Sequence, residues 1–288
     1  MLAAQNLQRA GAQGSRRRAG RAGPCFCRRR AAEARPLRPT PTCPGKAAGH
    51  RFFYGGSWNS GFKEGYGFVG RALAAEGFLV AIPDYRLVPE VRFPAFLEDA
   101  SAAVKWIRTN AARFGGDPDR IVLAGHSAGA YNAAMLAFDP RWLGKDHKGV
   151  RGFAGLAGPY DFLPLDSPIT RAAFGNAADL QATQPVTFAS AGDPPALLLV
   201  AAQDRLVFPR NSQRLAERLR KGGVAAQIKA YPNLGHVGIV TALAKPLRGK
   251  APVLRDVADF ARKVTALQPT EREHRPSVPP AASKDDAL

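Results

Sequence analysis

A five-residue run, Gly125-His126-Ser127-Ala128-Gly129, separates the apolar stretch Arg120-Ile121-Val122-Leu123-Ala124 from the helix-forming stretch Ala130 to Phe138. A G-x-S-x-G run at a strand-to-helix junction constrains this chain more than any other feature. The turn it makes is so tight that the neighbours of the central residue must lack bulky side chains. Gly125 and Gly129 are therefore read as packing residues. Ser127 is then pushed out at the carboxyl edge of a sheet, beside the first amides of a helix. The pattern is short enough to recur by chance, and an ordinary strand–helix turn is the competing reading. The strand before it and the helix after it favour a nucleophile.

A serine hydroxyl is a poor nucleophile near neutral pH and needs a base, an orienting acid and donors for a developing oxyanion. The chain has five histidines: His50, His126, His147, His236 and His274. His126 lies inside the turn and points away from the hydroxyl. His50 and His274 fall in Pro-, Gly- and charge-rich flanks, and His147 in the polar loop Lys145-Asp146-His147-Lys148. His236 alone follows an expected strand, Ala226 to Tyr231, and a turn, Pro232-Asn233-Leu234-Gly235. It is the expected base. Asp204 is the expected acid, because it comes three residues after Ala196-Leu197-Leu198-Leu199-Val200-Ala201. That uninterrupted apolar run reads as a buried parallel strand, and open α/β sheets carry their sites at the carboxyl ends of such strands. Asp161, Asp166, Asp179 and Asp193 also lie between Ser127 and His236; Asp161, which trails Phe153 to Ala157, is the next candidate.

Oxyanion donors are commonly backbone amides, so glycine-rich loops matter more here than side chains. Phe53-Tyr54-Gly55-Gly56-Ser57-Trp58 supplies one upstream of the serine. This loop resembles the H-G-G-x-W loop of α/β-hydrolase carboxylesterases. Asp84-Tyr85-Arg86-Leu87-Val88-Pro89-Glu90, followed by Phe93-Pro94-Ala95-Phe96-Leu97-Glu98-Asp99, resembles the D-Y-R-L-x-P-E…F-P-A-x-x-E-D segment of the hormone-sensitive-lipase-like esterases. Gly115-Gly116-Asp117-Pro118-Asp119-Arg120-Ile121 resembles the approach to their serine turn. The resemblance spans roughly residues 52 to 265. It implies Ser127 as nucleophile, His236 as base and Asp204 as orienting acid. It also implies that the amides of Gly55, Gly56 or Ser57, with that of Ala128, bind the oxyanion. Trp58 and His126 are candidate substrate contacts. Tyr54 stands where the family usually has histidine, a residue thought to brace the loop; a tyrosine hydroxyl is able to do the same.

The expected reaction is hydrolysis of small carboxylic esters through an acyl-enzyme, with no cofactor. An arylformamidase-like amide hydrolase shares the loop and the triad, and is the alternative enzyme. A non-catalytic or crippled homologue is the alternative from another class. The expected partner is a small-molecule ester, with no nucleic acid, no membrane span and no metal; the oligomeric state is left open. From residue 52 onward there is no cysteine, so neither a disulfide framework nor a thiolate metal site is available there.

The N-terminus departs from this pattern. Residues 1–51 hold twelve Lys or Arg against Glu33 alone, contain no Val or Ile, and include all three cysteines, Cys25, Cys27 and Cys43. Such a composition buries too little apolar surface to offset its ordering entropy, so the segment is expected to be disordered. Three accounts of it compete: a basic tail for nucleic acid or acidic lipid, a targeting peptide, and an upstream reading-frame slip in a GC-rich gene. The last is favoured. Because no convincing signal peptide stands out, a cytoplasmic location is expected.

The expected organisation is a basic segment over residues 1–51, an α/β-hydrolase domain over 52–267 and a disordered tail over 268–288. Alternating strand and helix signals argue a doubly wound, mostly parallel sheet. The strands that usually precede the glycine loop are expected to be missing. A Pro- and aromatic-containing insertion, about residues 159–195, reads as a small cap over a pocket.

Overall fold

The structure is a computed structural model and describes residues 47–266. In chain order it contains β1 (Ala47–Phe53), α1 (Gly67–Ala75), β2 (Leu79–Ala81), α2 (Ala95–Asn110), β3 (Gly116–His126) and α3 (Ala128–Phe138). Then come β4 (Val150–Leu156), α4 (Pro168–Phe174), α5 (Pro185–Phe188), β5 (Ala196–Ala201), α6 (Arg210–Lys221), β6 (Ala226–Tyr231), α7 (His236–Thr241) and α8 (Val253–Val264). The six strands form one sheet in the order β2-β1-β3-β4-β5-β6. Every pairing within it is parallel. Parallel strands covered on both faces read as continuous apolar runs, and β5, buried at all six positions, is of that kind. The flanking helices are one-sided. In α6, Asn211, Ser212, Leu215, Ala216 and Leu219 are buried while the basic residues of its last turn face outward.

The start of the domain corrects the sequence reading. The boundary at residue 52 falls inside β1, which begins at Ala47 and lies between β2 and β3. His50 pairs with Val80 on one side and Val122 on the other, and Phe52 pairs with Ala124. Main-chain ladders on both edges outweigh the poor strand propensity of Ala-Ala-Gly-His-Arg. The consequence is a strand whose His50 and Arg51 are fully buried. Among the described residues neither ring nitrogen of His50 has a hydrogen-bond partner, nor do Nε and Nη2 of Arg51; Nη1 donates to the His50 carbonyl at 3.1 Å. Burial, with the neighbouring Arg51 charge, pulls His50 down to about 3. Burial pulls Arg51 down to about 9, which still leaves a cation at neutral pH. Among the described residues no strand precedes β1 and none flanks β2 on its outer edge. The expectations for residues 1–46 and 267–288 lie outside the described residues.

Candidate active site

β3 delivers Ser127 at its carboxyl end, where the backbone reverses into α3 with φ 54° and ψ −124° at the serine. A side chain in that conformation is strained, and the neighbours show what holds it there. A Cβ at Gly125 would lie 2.3 Å from the Gly129 carbonyl oxygen, and one at Gly129 would lie 2.1 Å from that of Phe53. The packing role assigned to both glycines is therefore literal. The Ser127 amide donates to Leu156 of β4 at 2.9 Å, which fixes the turn to the next strand.

Two loops at the same sheet edge complete the constellation. Asp204 follows β5 and His236 opens α7 after β6. The loops are tied together by Ala202 N–H to the Tyr231 carbonyl and Gln203 N–H to that of Leu234, both at 3.0 Å. His236 Nε2 lies 2.9 Å from Ser127 Oγ, and His236 Nδ1 lies 2.7 Å from Asp204 Oδ2. The other carboxylate oxygen accepts the amides of Leu206 and Val207, each at 2.9 Å. Burial works to raise the Asp204 carboxyl, but hydrogen bonds from His236, Val207 and Leu206 outweigh it and hold the group below its usual range. It therefore stays ionised and orients the imidazole. Asp161, the runner-up acid, is instead paired with Arg214 at 2.8 Å.

The glycine loop approaches from the carboxyl end of β1. The Gly56 carbonyl accepts the amides of Asn59 and Ser60 and the Ser60 hydroxyl, at 3.0, 2.9 and 2.9 Å. Gly56, Ser57 and Trp58 all have positive φ, at 137°, 55° and 58°. A Cβ at Gly56 would meet the Ser60 carbonyl oxygen at 2.2 Å, so only glycine fits there. The motif that follows β2 is the brace for this loop. The Tyr85 hydroxyl donates to the Tyr54 carbonyl at 2.8 Å and the two rings stack at 4.6 Å. Val88 N–H donates to the Trp58 carbonyl at 2.8 Å. Asp84 is paired with Lys63 at 2.8 Å, and Arg86 makes a bidentate pair with Asp99 at 2.8 and 2.9 Å. Tyr54 thus joins the bracing that the sequence reading asked of it, through its carbonyl and ring more than its hydroxyl. Ala128 is the first residue of α3, so its amide has no carbonyl four residues back within the helix.

A cavity of about 290 Å³ opens on Ser127 and His236. Ser57, Trp58, Ala128, Phe162, Leu206 and Phe208 also line it. From the segment 159–195, Pro159, Phe162 to Pro164, Asp166, Ser167, Ile169 and Thr170 line it. Trp58 is brought to the cavity and is held edge-on against Tyr131 and Phe174 at 5.3 and 4.8 Å.

His126 is not among the lining residues, and its assignment as a substrate contact is corrected. Both its ring nitrogens are engaged inside the protein, with Tyr66 Oη and with the His236 carbonyl, each at 2.9 Å. Gly55 also lies outside the lining. Tyr66 and the lining residues Phe162, Leu206 and Phe208 were not singled out from the sequence. Nothing in their local pattern marks them, because they meet the site only through loop geometry.

A parallel sheet with helices on both faces, carrying a serine in a strained strand-to-helix turn, defines the α/β-hydrolase fold. The chain belongs to the BD-FAE family, whose model matches residues 52–219. It is 43% identical over 88 residues to the carboxylesterase NlhH of Mycobacterium tuberculosis, covering 30% of this chain and 27% of that one. It is 30% identical over 192 residues to the esterase LipC of the same species, covering 59% and 47%. It is 28% identical over 231 residues to the isoprenylcysteine alpha-carbonyl methylesterase ICME of Arabidopsis thaliana, covering 71% and 53%. The chain spans about half the length of most of these curated relatives, and less of NlhH. Among solved structures it resembles the apo form of Thermogutta terrifontis esterase 2, with a TM-score of 0.69, 23% identity, and coverage of 81% of this chain and 89% of that one.

Proposed function

We propose that the chain is a serine hydrolase that cleaves small carboxylic esters through an acyl-enzyme, without a cofactor. The observation that carries this reading is the unbroken hydrogen-bonded line from Asp204 Oδ2 through the His236 ring to Ser127 Oγ, at 2.7 and 2.9 Å, with Ser127 and His236 lining a cavity. Ser127 attacks the ester carbonyl as His236 Nε2 takes the hydroxyl proton. The tetrahedral oxyanion meets the amides of Ala128 and of Gly56 or Ser57. His236 then returns the proton to the leaving alcohol, and the acyl group stays on Ser127. Water, deprotonated by the same imidazole, releases the acid. Asp204, kept ionised by its donors, holds the Nδ1–H tautomer throughout. The names of the relatives, carboxylesterase, esterase and methylesterase, support an ester as substrate. The limited cavity volume supports a small acyl group.

Reaction with a fluorophosphonate probe, followed by mapping of the modified peptide, tests the reading. Labelling confined to Ser127 and lost in Ser127→Ala is expected. Failure to label, together with no turnover of a short p-nitrophenyl ester, would overturn it.

A further inference from the structure

The contacts of His126 determine its protonation pattern. Its Nε2 lies 2.9 Å from the backbone carbonyl oxygen of His236. A carbonyl only accepts, so Nε2 carries the proton. In the neutral ring Nδ1 is then an acceptor, and the hydroxyl of Tyr66, 2.9 Å away, is the donor. The opposite tautomer would set a lone pair against the carbonyl and leave the buried Nδ1–H facing the phenol oxygen. Burial, with the neighbouring His236, lowers His126 to about 4, so the ring is neutral in the physiological range. The two imidazoles lie 4.9 Å apart, centroid to centroid. Tyr66 also reaches the glycine loop: a backbone hydrogen bond from Gly55 partly offsets the rise that burial imposes on its phenol.

We propose that Tyr66 and His126 are positioning residues for the hydrolytic site. The His236 carbonyl fixes the His126 tautomer with Nε2–H, and the tyrosine hydroxyl donates to the Nδ1 that this tautomer leaves as an acceptor. The ring so held sets the His236 imidazole between Ser127 and Asp204. The inference rests on the reading of His236 as the catalytic base. Neither residue lines the cavity. Both lie behind the imidazole, where they hold the first residue of α7 against the end of β3.

Tyr66→Phe tests this, because it removes the donor and keeps the ring contacts with Phe52, Tyr54 and Phe68. It is expected to lower kcat for p-nitrophenyl acetate about tenfold while leaving KM within about twofold, the scale of one lost hydrogen bond. His126→Gln retains an amide donor for the His236 carbonyl and removes the ring Nδ1 that the Tyr66 hydroxyl serves. In that background Tyr66→Phe is expected to change kcat less than about twofold, a coupling that a merely structural role does not produce. Equal losses in both backgrounds, or no loss in either, would overturn the proposal. Imidazole 15N shifts provide a readout independent of turnover. At pH 7 they should report the Nε2–H tautomer for His126 in the unaltered chain, and in Tyr66→Phe the same tautomer with its Nδ1 signal moved towards that of an acceptor without a donor. A Nδ1–H tautomer in the unaltered chain, or an unmoved Nδ1 signal in the variant, refutes the proposal even if His126→Gln does not fold. If the unaltered chain neither turns over esters nor labels at Ser127, the hydrolase reading fails, and these shifts still decide whether Tyr66 donates to His126 Nδ1.

Discussion

Gly129 lies directly beneath the carbonyl of Phe53, so close that a Cβ on it would sit 2.1 Å from that oxygen. The serine turn and the strand that feeds the glycine loop are therefore one packed unit. Gly129→Ala should push α3 and the end of β1 apart at the point where the proposed oxyanion amides lie. A loss of esterase activity of at least about 100-fold, with a lowered melting temperature, is expected from an overpacked contact at a preorganised site. Kinetics and calorimetry on the purified variant check this, and near-normal activity would show that the contact is not limiting.

The line through His236 predicts unequal effects for two neighbouring acids. Asp204→Asn should reduce kcat by about 10³-fold or more, because the imidazole loses the partner that selects its tautomer. Asp161→Asn should stay within about threefold, since its partner is the half-exposed Arg214 and surface pairs contribute little. Reversed effects would move the acid to Asp161.

Arg51 is a buried cation in the interior of the sheet, and two of its nitrogens have no hydrogen-bond partner among the described residues. Replacing it with Val, a residue suited to a parallel strand, should raise stability by about 2 kcal/mol or more, because an uncompensated charge leaves the core. Urea unfolding measures this directly. A destabilised Arg51→Val would mean that the guanidinium has an unrecognised partner.

Buried neutral histidines make the fold sensitive to acid. His126 is depressed to about 4 and His50 to about 3, whereas both titrate near 6.5 when unfolded. Below pH 6.5 the unfolded chain binds protons that the folded chain refuses, so stability falls as pH drops from about 6.5 towards 4 and then 3. Asp204 adds to this only at lower pH, as its depressed carboxyl finally protonates. The melting temperature should decline across that window and level above it. His126→Gln should make the upper part of the decline shallower.

The cavity of about 290 Å³ predicts chain-length selectivity. Acetate and butyrate p-nitrophenyl esters should be turned over with higher kcat/KM than the palmitate ester. Preference for palmitate would show that the long chain runs out past the cap along Leu206 and Phe208.

Much of this protein is legible in one dimension. The strand–turn–helix around Ser127, the apolar run of β5 before Asp204 and the strand and turn before His236 are local patterns. Periodicity and chain order suffice for them, because a parallel sheet places the end of every such strand at one edge. The D-Y-R-L motif was visible too, although its work as a brace for the glycine loop emerged only when Tyr85 met Tyr54 and Arg86 met Asp99. What tertiary structure alone decided has no local signature. β1 exists because two neighbouring strands supply its main-chain partners, against the preference of Ala-Ala-Gly-His-Arg for irregular chain. His126 faces Tyr66 and the His236 carbonyl, away from substrate, because the strained turn sends adjacent side chains in opposite directions. Tyr66, distant in sequence from both histidines it serves, reaches them only through the packing of its helix-turn segment against the sheet.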